Sequence, residues 1–431
     1  MTKLVLPTPP QAEWAEREIG VIIHIDLPVF SDDVHYNFRD HYGDPLPAEL
    51  FNPDDMDVES WVKAARDLGA KYAVLVAKHC TGFCLWPTRA HGYSVASSPW
   101  KDGQGDVVRE FVDACRKYDI LPGLYYSVSC NQYMNVDNPG LVRDRDPEKQ
   151  RAYNEMALSQ LAELWTNYGE LFEIWFDGGC LPPEEGGPDV AALLSRLQPN
   201  AVVFQGPRGL PSRLRWVGNE RGVADENCSS IMDEGAELLD GTREVLAKGD
   251  TLGDTWRPAE SDLPGRDARR ARSGGWFWAP DQEDTVKSGE ELLETYIKSV
   301  GRGTNMLVGM AIDAHGRFPE ADAQAFRRFA ALKRAAFGEE KAAFQSAGAH
   351  RYAARAEGAR YIALGEDIRQ GERVLSWRVT GYDAENRAVM RRGGTVIGHR
   401  RIVPVCGGSV RFELEITAFK AMPVLTELGV Y

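Results

Sequence analysis

The chain has 431 residues, 43% of them hydrophobic and 10% aromatic, enough for one large domain and a small one with packed cores. Fifty Lys and Arg against 64 Asp and Glu give a formal charge of −14, which weighs against nucleic acid or an anionic membrane as partner, since both select basic surfaces. The seven cysteines (Cys80, Cys84, Cys115, Cys130, Cys180, Cys228, Cys406) are odd in number, irregular in spacing and without a CxxC pair, so free thiols are expected and a structural zinc site is not.

The first residues, Met-Thr-Lys-Leu-Val-Leu-Pro, hold only a short apolar run, and no segment approaches the roughly 18 apolar residues of a membrane helix. A cytoplasmic location is the expectation. Ile19 to Ile25 reads as a buried strand delivering His24 near its end. Asp26 to Pro53 is a long polar loop with Phe30, His35, Tyr36, His41 and Tyr42, and loops of that length are usually functional. A helix from Asp57 to Leu68 precedes the strand Tyr72 to Lys78, which ends at His79-Cys80-Thr81. The helix Asp106 to Tyr118 leads to a strand, Ile120 to Ser127, in which Tyr125 and Tyr126 point to opposite sides.

The helix Glu148 to Tyr168 is followed by Leu171 to Gly179, Leu-Phe-Glu-Ile-Trp-Phe-Asp-Gly-Gly, an apolar run that rises to Asp177 and stops at two glycines. Trp175 shares a strand face with Asp177, which suits a carboxylate beside an aromatic platform; the bland reading is an Asp that caps a turn. Asp189 to Leu197 is helical, and Ala201 to Gln205 and Leu214 to Val217 are strands, the second ending in Gly218-Asn219-Glu220. Asp225 to Asp281 reads as irregular, with Arg266 to Arg272 a solvated loop. A helix (Glu290 to Val300), a strand (Asn305 to Met310) and a helix (Ala321 to Ala336) close the pattern.

Strand and helix in alternation imply a parallel sheet. Polar residues after successive strands (His24, His79, Tyr125, Asp177, Glu220) suit a TIM-like (β/α) barrel, whose active site lies at the strands' C-terminal ends, and no GxGxxG follows the first strand to favour a dinucleotide fold. The expected division is a catalytic barrel over 1–340 and an antiparallel β-sandwich over 341–431, where short strands alternate with glycine turns. A ring of carboxylates, imidazoles and aromatics without a metal pattern points to carbohydrate chemistry, with no metal or cofactor expected.

The motifs in order resemble glycoside hydrolase family 29, the α-L-fucosidases. They are Phe51-Asn-Pro with Trp61, Gly69 to His79, Gly82-Phe-Cys-Leu-Trp-Pro, Gly123-Leu-Tyr-Tyr-Ser, Ile-Trp-Phe-Asp177-Gly, Gly275-Trp-Phe and Asn305-Met-Leu-Val. Arg215-Trp-Val-Gly-Asn-Glu220 and Trp256-Arg-Pro-Ala-Glu260 are similar to the subgroup acting on α-1,3/1,4-fucosides. The resemblance implies a barrel followed by a β-sandwich and a metal-free retaining exo-glycosidase, with a fucosylated oligosaccharide or a related L-sugar glycoside as substrate. A homo-oligomer is compatible with it. It makes Asp177 the nucleophile and Glu220 the general acid/base, with Glu260 the competitor. His24 and His79 become hydroxyl ligands, Tyr125, Trp175 and Trp276 pocket walls, and Arg215, with Arg208 second to it, a grip on a hydroxyl or on the nucleophile.

The chain departs from the family's usual pattern at three places. His-Trp-Gly or His-Phe-Gly is here His24-Ile25-Asp26, and Lys-His-His-Asp-Gly-Phe is Lys78-His79-Cys80-Thr81-Gly82-Phe83. A Glu-Trp pair of the first loop has no counterpart between Phe38 and Gly43. These differences put L-fucose itself in question, with Asp26, His41 or Asp44 as replacement contacts, and leave a non-cleaving glycan binder as the alternative function.

Overall fold

The computed structural model describes residues 4–33, 36, 38, 41–235 and 243–431. Eight parallel strands close into a barrel in strict chain order: β1 (Ile19–His24), β2 (Tyr72–Lys78), β3 (Leu121–Tyr126), β4 (Glu173–Trp175), β5 (Val202–Phe204), β6 (Arg213–Trp216), β7 (Ala259–Leu263) and β8 (Asn305–Ala311). The seam is the pairing of β1 with β8, Ile19 opposite Met306. Buried on both faces, these strands need apolar residues inside and out, and every residue of Tyr72–Lys78 is buried.

The connecting helices carry their own signals. Asp57 caps α2 (Val58–Leu68) by accepting from Ser60 N, and Gly69 ends it at φ 96°. Asp106 caps α3 (Val107–Lys117), and α4 (Pro147–Asn167) starts on Asp146 with Pro147 in its first turn. The helices bury apolar stripes (Trp61, Val62, Ala65 and Leu68 on α2) against the outside of the barrel. No helix separates β5 from β6, only 205–212.

One strand contradicts the sequence reading. β7, Ala-Glu-Ser-Asp-Leu, lies in the stretch expected to be irregular. Its two inward positions are Glu260 and Asp262, while Ser261 bonds Thr304 at 2.8 Å, so no apolar run marks it. The 266–272 segment is likewise not simply solvated. Arg266 is 1% exposed and pairs with both carboxylate oxygens of Asp322, at 3.2 and 2.8 Å.

The barrel interior is filled by Ile22, Tyr72, Val74, Val76, Tyr125, Trp175, Phe204, Leu214 and Leu307, and Trp14 of α1 (Pro9–Arg17) closes its N-terminal end. Beyond the helix Glu320–Phe337 two antiparallel sheets of four and five strands, between Ala342 and Val430, pack around Phe344, Leu364, Trp377, Phe412 and Leu414. This sandwich grips the barrel's own loops. Glu372 accepts from Ser229 Oγ at 2.6 Å and Ser230 N at 2.7 Å, and Arg400 pairs with Glu18 at 2.6 Å.

Candidate active site

A cavity of about 680 Å³ opens at the C-terminal ends of the strands, where a barrel of this kind holds its chemistry. The first seven strands contribute through their last residues or the loops that follow: His24, His79, Tyr125, Trp175 with Asp177, Gln205, Trp216 with Glu220, and Asp262 all line it. The apolar walls are Phe38, Phe204, Trp276 and Phe277.

Asp177 leaves β4 on a turn that favours glycine. Gly178 has φ 70°, and a Cβ there would sit 3.0 Å from Asn138 Nδ2. The turn is fixed by Ser129 Oγ donating to the Asp177 carbonyl at 2.6 Å and by Gly178 N donating to Gln205 Oε1 at 3.0 Å. The carboxylate accepts from Tyr125 OH at 2.9 Å. Burial raises the Asp177 pKa and the charge of Glu220 adds to this, while the Tyr125 bond works the other way. Trp175 stacks between Tyr125 (centroids 5.2 Å) and Phe204 (4.0 Å), so the ring that carries the Tyr125 hydroxyl is held flat.

Glu220 stands at the exposed mouth of the cavity and accepts from Trp276 Nε1 at 3.2 Å. Asp177 is thus a sheltered carboxylate of the cavity and Glu220 one that meets solvent. His24 and His79 face it from β1 and the end of β2, with Phe277 against both rings at 5.2 and 5.0 Å. Burial pushes the His24 pKa down to about 3 and the His79 pKa well below its ordinary value, so both are neutral imidazoles, each with one donor and one acceptor nitrogen for a neutral polyol.

Two sequence expectations are corrected. Arg215 does not reach the cavity. It is 1% exposed and donates to the carbonyls of Leu246, Arg257 and Ser229, pinning the segment that follows β6. Glu260 lies in the barrel interior beneath the cavity, accepting from Tyr72 OH at 2.7 Å and Trp175 Nε1 at 2.9 Å, with no path to a leaving group. Arg208, the second choice, is exposed and paired with Glu185 at 3.1 Å. His24, His79, Tyr125, Trp175, Asp177, Glu220 and Trp276 are brought together.

Sequence reasoning missed Asp262, which lines the cavity two residues beyond Glu260 on the same face of β7. It accepts from Trp216 Nε1 at 2.7 Å, and burial raises its pKa well above the carboxylate range. The period-two spacing of Glu260 and Asp262 is the signal that could have found it. Tyr36 and Phe38 of the first loop also form part of the wall. Gln132 holds both: its Oε1 accepts from Tyr36 OH, its Nε2 donates to the Phe38 carbonyl at 2.5 Å, and its own carbonyl accepts from Gly43 N at 2.9 Å. His41 stacks on Tyr36 at 4.3 Å, and His35 lies outside the described residues.

The departures from the family pattern sit one layer behind the cavity wall. Asp26 and Cys80 do not line it; Thr81 Oγ1 donates to both oxygens of Asp26 at 2.8 Å, and Asp26 Oδ2 lies 3.8 Å from His79 Nδ1. Asp26 is thus the carboxylate beside His79, and Thr81 is the hydroxyl that bonds it. Among the described residues no group of three or more His, Cys, Asp or Glu could hold a metal ion.

The family model described as Alpha-L-fucosidase matches residues 5–332. Alpha-L-fucosidase 1 of Arabidopsis thaliana is 29% identical over 99% of this chain and 88% of its own length. A protein of Oryza sativa subsp. japonica, provisionally named alpha-L-fucosidase 1, is 30% identical over 99% of this chain and 85% of its own. A solved structure from Bacteroides thetaiotaomicron VPI-5482, provisionally described as an alpha-L-fucosidase, superposes with a TM-score of 0.90 at 31% identity, covering 100% of this chain and 99% of that one. Matched along its barrel by the family model and along its whole length by these relatives, the chain belongs to the α-L-fucosidase family, glycoside hydrolase family 29, and is a glycoside hydrolase.

Proposed function

We propose that the protein is a retaining exo-α-L-fucosidase. The observation that carries the reading is the pair of unlike carboxyl groups in one cavity: Asp177, sheltered and bonded by Tyr125, and Glu220, exposed at the mouth. Asp177 Oδ attacks the anomeric carbon as the glycosidic bond breaks, and Glu220 gives its proton to the departing oxygen. The glycosyl–Asp177 ester is then opened by water, whose proton Glu220 takes back, restoring both groups. His24 and His79 bond ring hydroxyls, and Phe277 and Trp276 cover the sugar's apolar face.

L-Fucose is favoured over other L-sugars because the Ile25-Asp26 and Cys80-Thr81 changes lie outside the cavity while both imidazoles line it. The segments Arg215 to Glu220 and Trp256 to Glu260 support α-1,3/1,4-linked fucosides as the natural substrates. Arg215 and Glu260 contribute to that likeness as structural residues. A cytoplasmic site of action is part of the proposal. The non-cleaving binder is disfavoured by the intact Asp177–Glu220 pair.

The test is nitrophenol release from a panel of 4-nitrophenyl α-L-glycosides, with the fucoside beside its C4 and C5 variants, followed by NMR of the first-formed sugar. Fucoside turnover with α-configured product is expected. A β-configured first product would overturn retention, and turnover of another sugar alone would overturn the substrate.

A further inference from the structure

Glu173 and Glu260 are both fully buried in the barrel interior and face one another from β4 and β7, below the cavity. Neither touches the sugar site. We propose that Glu260 is a positioning residue of the fucosidase site, holding the indole of Trp175 and through it the phenol that donates to Asp177, while Glu173 acts as its hydrogen-bond donor. The inference rests on the fucosidase reading above.

Glu260 Oε2 accepts from Trp175 Nε1 at 2.9 Å; Trp175 stacks on Tyr125 at 5.2 Å with 18° between planes; Tyr125 OH donates to Asp177 at 2.9 Å. The other oxygen of Glu260 accepts from Tyr72 OH at 2.7 Å. The space for that phenol is built in: a Cβ on Gly20 of β1 would fall 2.3 Å from the Tyr72 ring. Trp14 Nε1 donates to Glu173 Oε2 at 3.3 Å from below, and the other oxygen of Glu173 has no donor of its own among the described residues.

The donor count decides the protonation. Two ionised carboxylates cannot share a buried contact. Glu260 is met by an O–H and an N–H already, so it is the one that accepts, and Glu173 carries the proton and points it at Glu260. Burial raises both pKa values, and the charge of Glu260 drives that of Glu173 well above the carboxylate range. The other groups facing the pair are Tyr72 on β2, Asp262 on β7 and Trp14 on α1. A carboxylate in a barrel core is costly, and an amide would offer the two donors only one acceptor oxygen. Its return is an indole fixed by a charge-assisted bond in one plane.

Two isosteric variants of the full chain separate this from ordinary packing. Glu173→Gln keeps a neutral donor toward Glu260, so kcat for 4-nitrophenyl α-L-fucoside should stay within roughly threefold of wild type. Glu260→Gln removes the acceptor charge, and kcat should fall roughly tenfold or more with KM within about threefold, because the sugar's own contacts are untouched. Equal effects of the two substitutions, or wild-type kcat in Glu260→Gln, would overturn the proposal. If Glu260→Gln does not fold, Tyr72→Phe removes one donor to Glu260, and a few-fold loss of kcat at constant KM is expected; no loss overturns the proposal.

A readout without turnover keeps the two readings apart. In ¹⁵N-tryptophan-labelled protein, with the Trp175 indole resonance assigned by Trp175→Phe, that resonance should move in Glu260→Gln and stay in Glu173→Gln. A wild-type protein inert on the fucoside would sink the fucosidase reading, while the indole shifts would still show whether Glu260 is the charged acceptor.

Discussion

The phenol of Tyr125 and the carboxylate of Asp177 meet at 2.9 Å, β3 presenting the donor and the turn after β4 the acceptor. The bond opposes the burial that raises the Asp177 pKa. Tyr125→Phe should therefore shift the acid limb of kcat/KM to higher pH, since Asp177 must be ionised to attack. It should also lower kcat roughly ten- to hundredfold, as expected for a hydrogen bond to a charged group worth about 1.5–3 kcal/mol. A pH–rate profile measures both.

Asp177→Asn should abolish turnover to the background of the assay with the melting temperature little changed, because the amide still accepts from Tyr125. Glu220→Gln should behave differently. Its loss should be severe on natural glycans, whose leaving group needs a proton, and smaller on aryl fucosides in the first step. A burst of nitrophenol followed by a slow phase, restored by azide with α-configured glycosyl azide as product, is the expected signature.

Asp26 offers a prediction about stability. Burial raises its pKa from 3.8 to about 7. The folded state therefore holds this proton more tightly than the unfolded one. The benefit is full below pH 3.8 and is lost as pH rises through about 7. Above that the buried carboxylate costs the fold on the order of 2–4 kcal/mol. Melting temperatures at pH 6 and pH 8.5 should differ in wild type and converge in Asp26→Asn.

Arg215→Met would leave the buried carbonyls of Arg257 and Ser229, and the half-buried one of Leu246, without their donor. At about 1–3 kcal/mol for each unsatisfied group, the melting temperature should fall by several degrees or more. Activity per folded molecule should remain within roughly threefold. A selective loss of kcat with unchanged melting would show that Arg215 acts on substrate.

Much of the barrel was legible because its strands are apolar on both faces and its helices begin on Asp caps, as at Asp57 and Asp106. β7 was not, because its inward positions are Glu260 and Asp262, two carboxyl groups that only the finished interior can stabilise. The same reason misplaced Glu260 and hid Asp262: along a strand they differ by one layer, and only depth in the barrel tells a buried acceptor from a cavity wall. Arg215 was misread because sequence cannot distinguish a guanidinium that meets carbonyls from one that meets a ligand. His24, His79, Asp177 and Glu220 could be placed at one face because each follows a strand signal, Asp177 and Glu220 within intact motifs and the two histidines despite altered neighbours.

Gln132 joins the loop after β1 to the loop after β3, bonding Tyr36 and the Phe38 carbonyl on one side while its own backbone belongs to the other. The two loops therefore form one mechanical unit. A lengthening of the first that displaced Phe38 would have to be answered around Gln132, nearly a hundred residues away in the chain, and grafting either loop alone would carry half a wall.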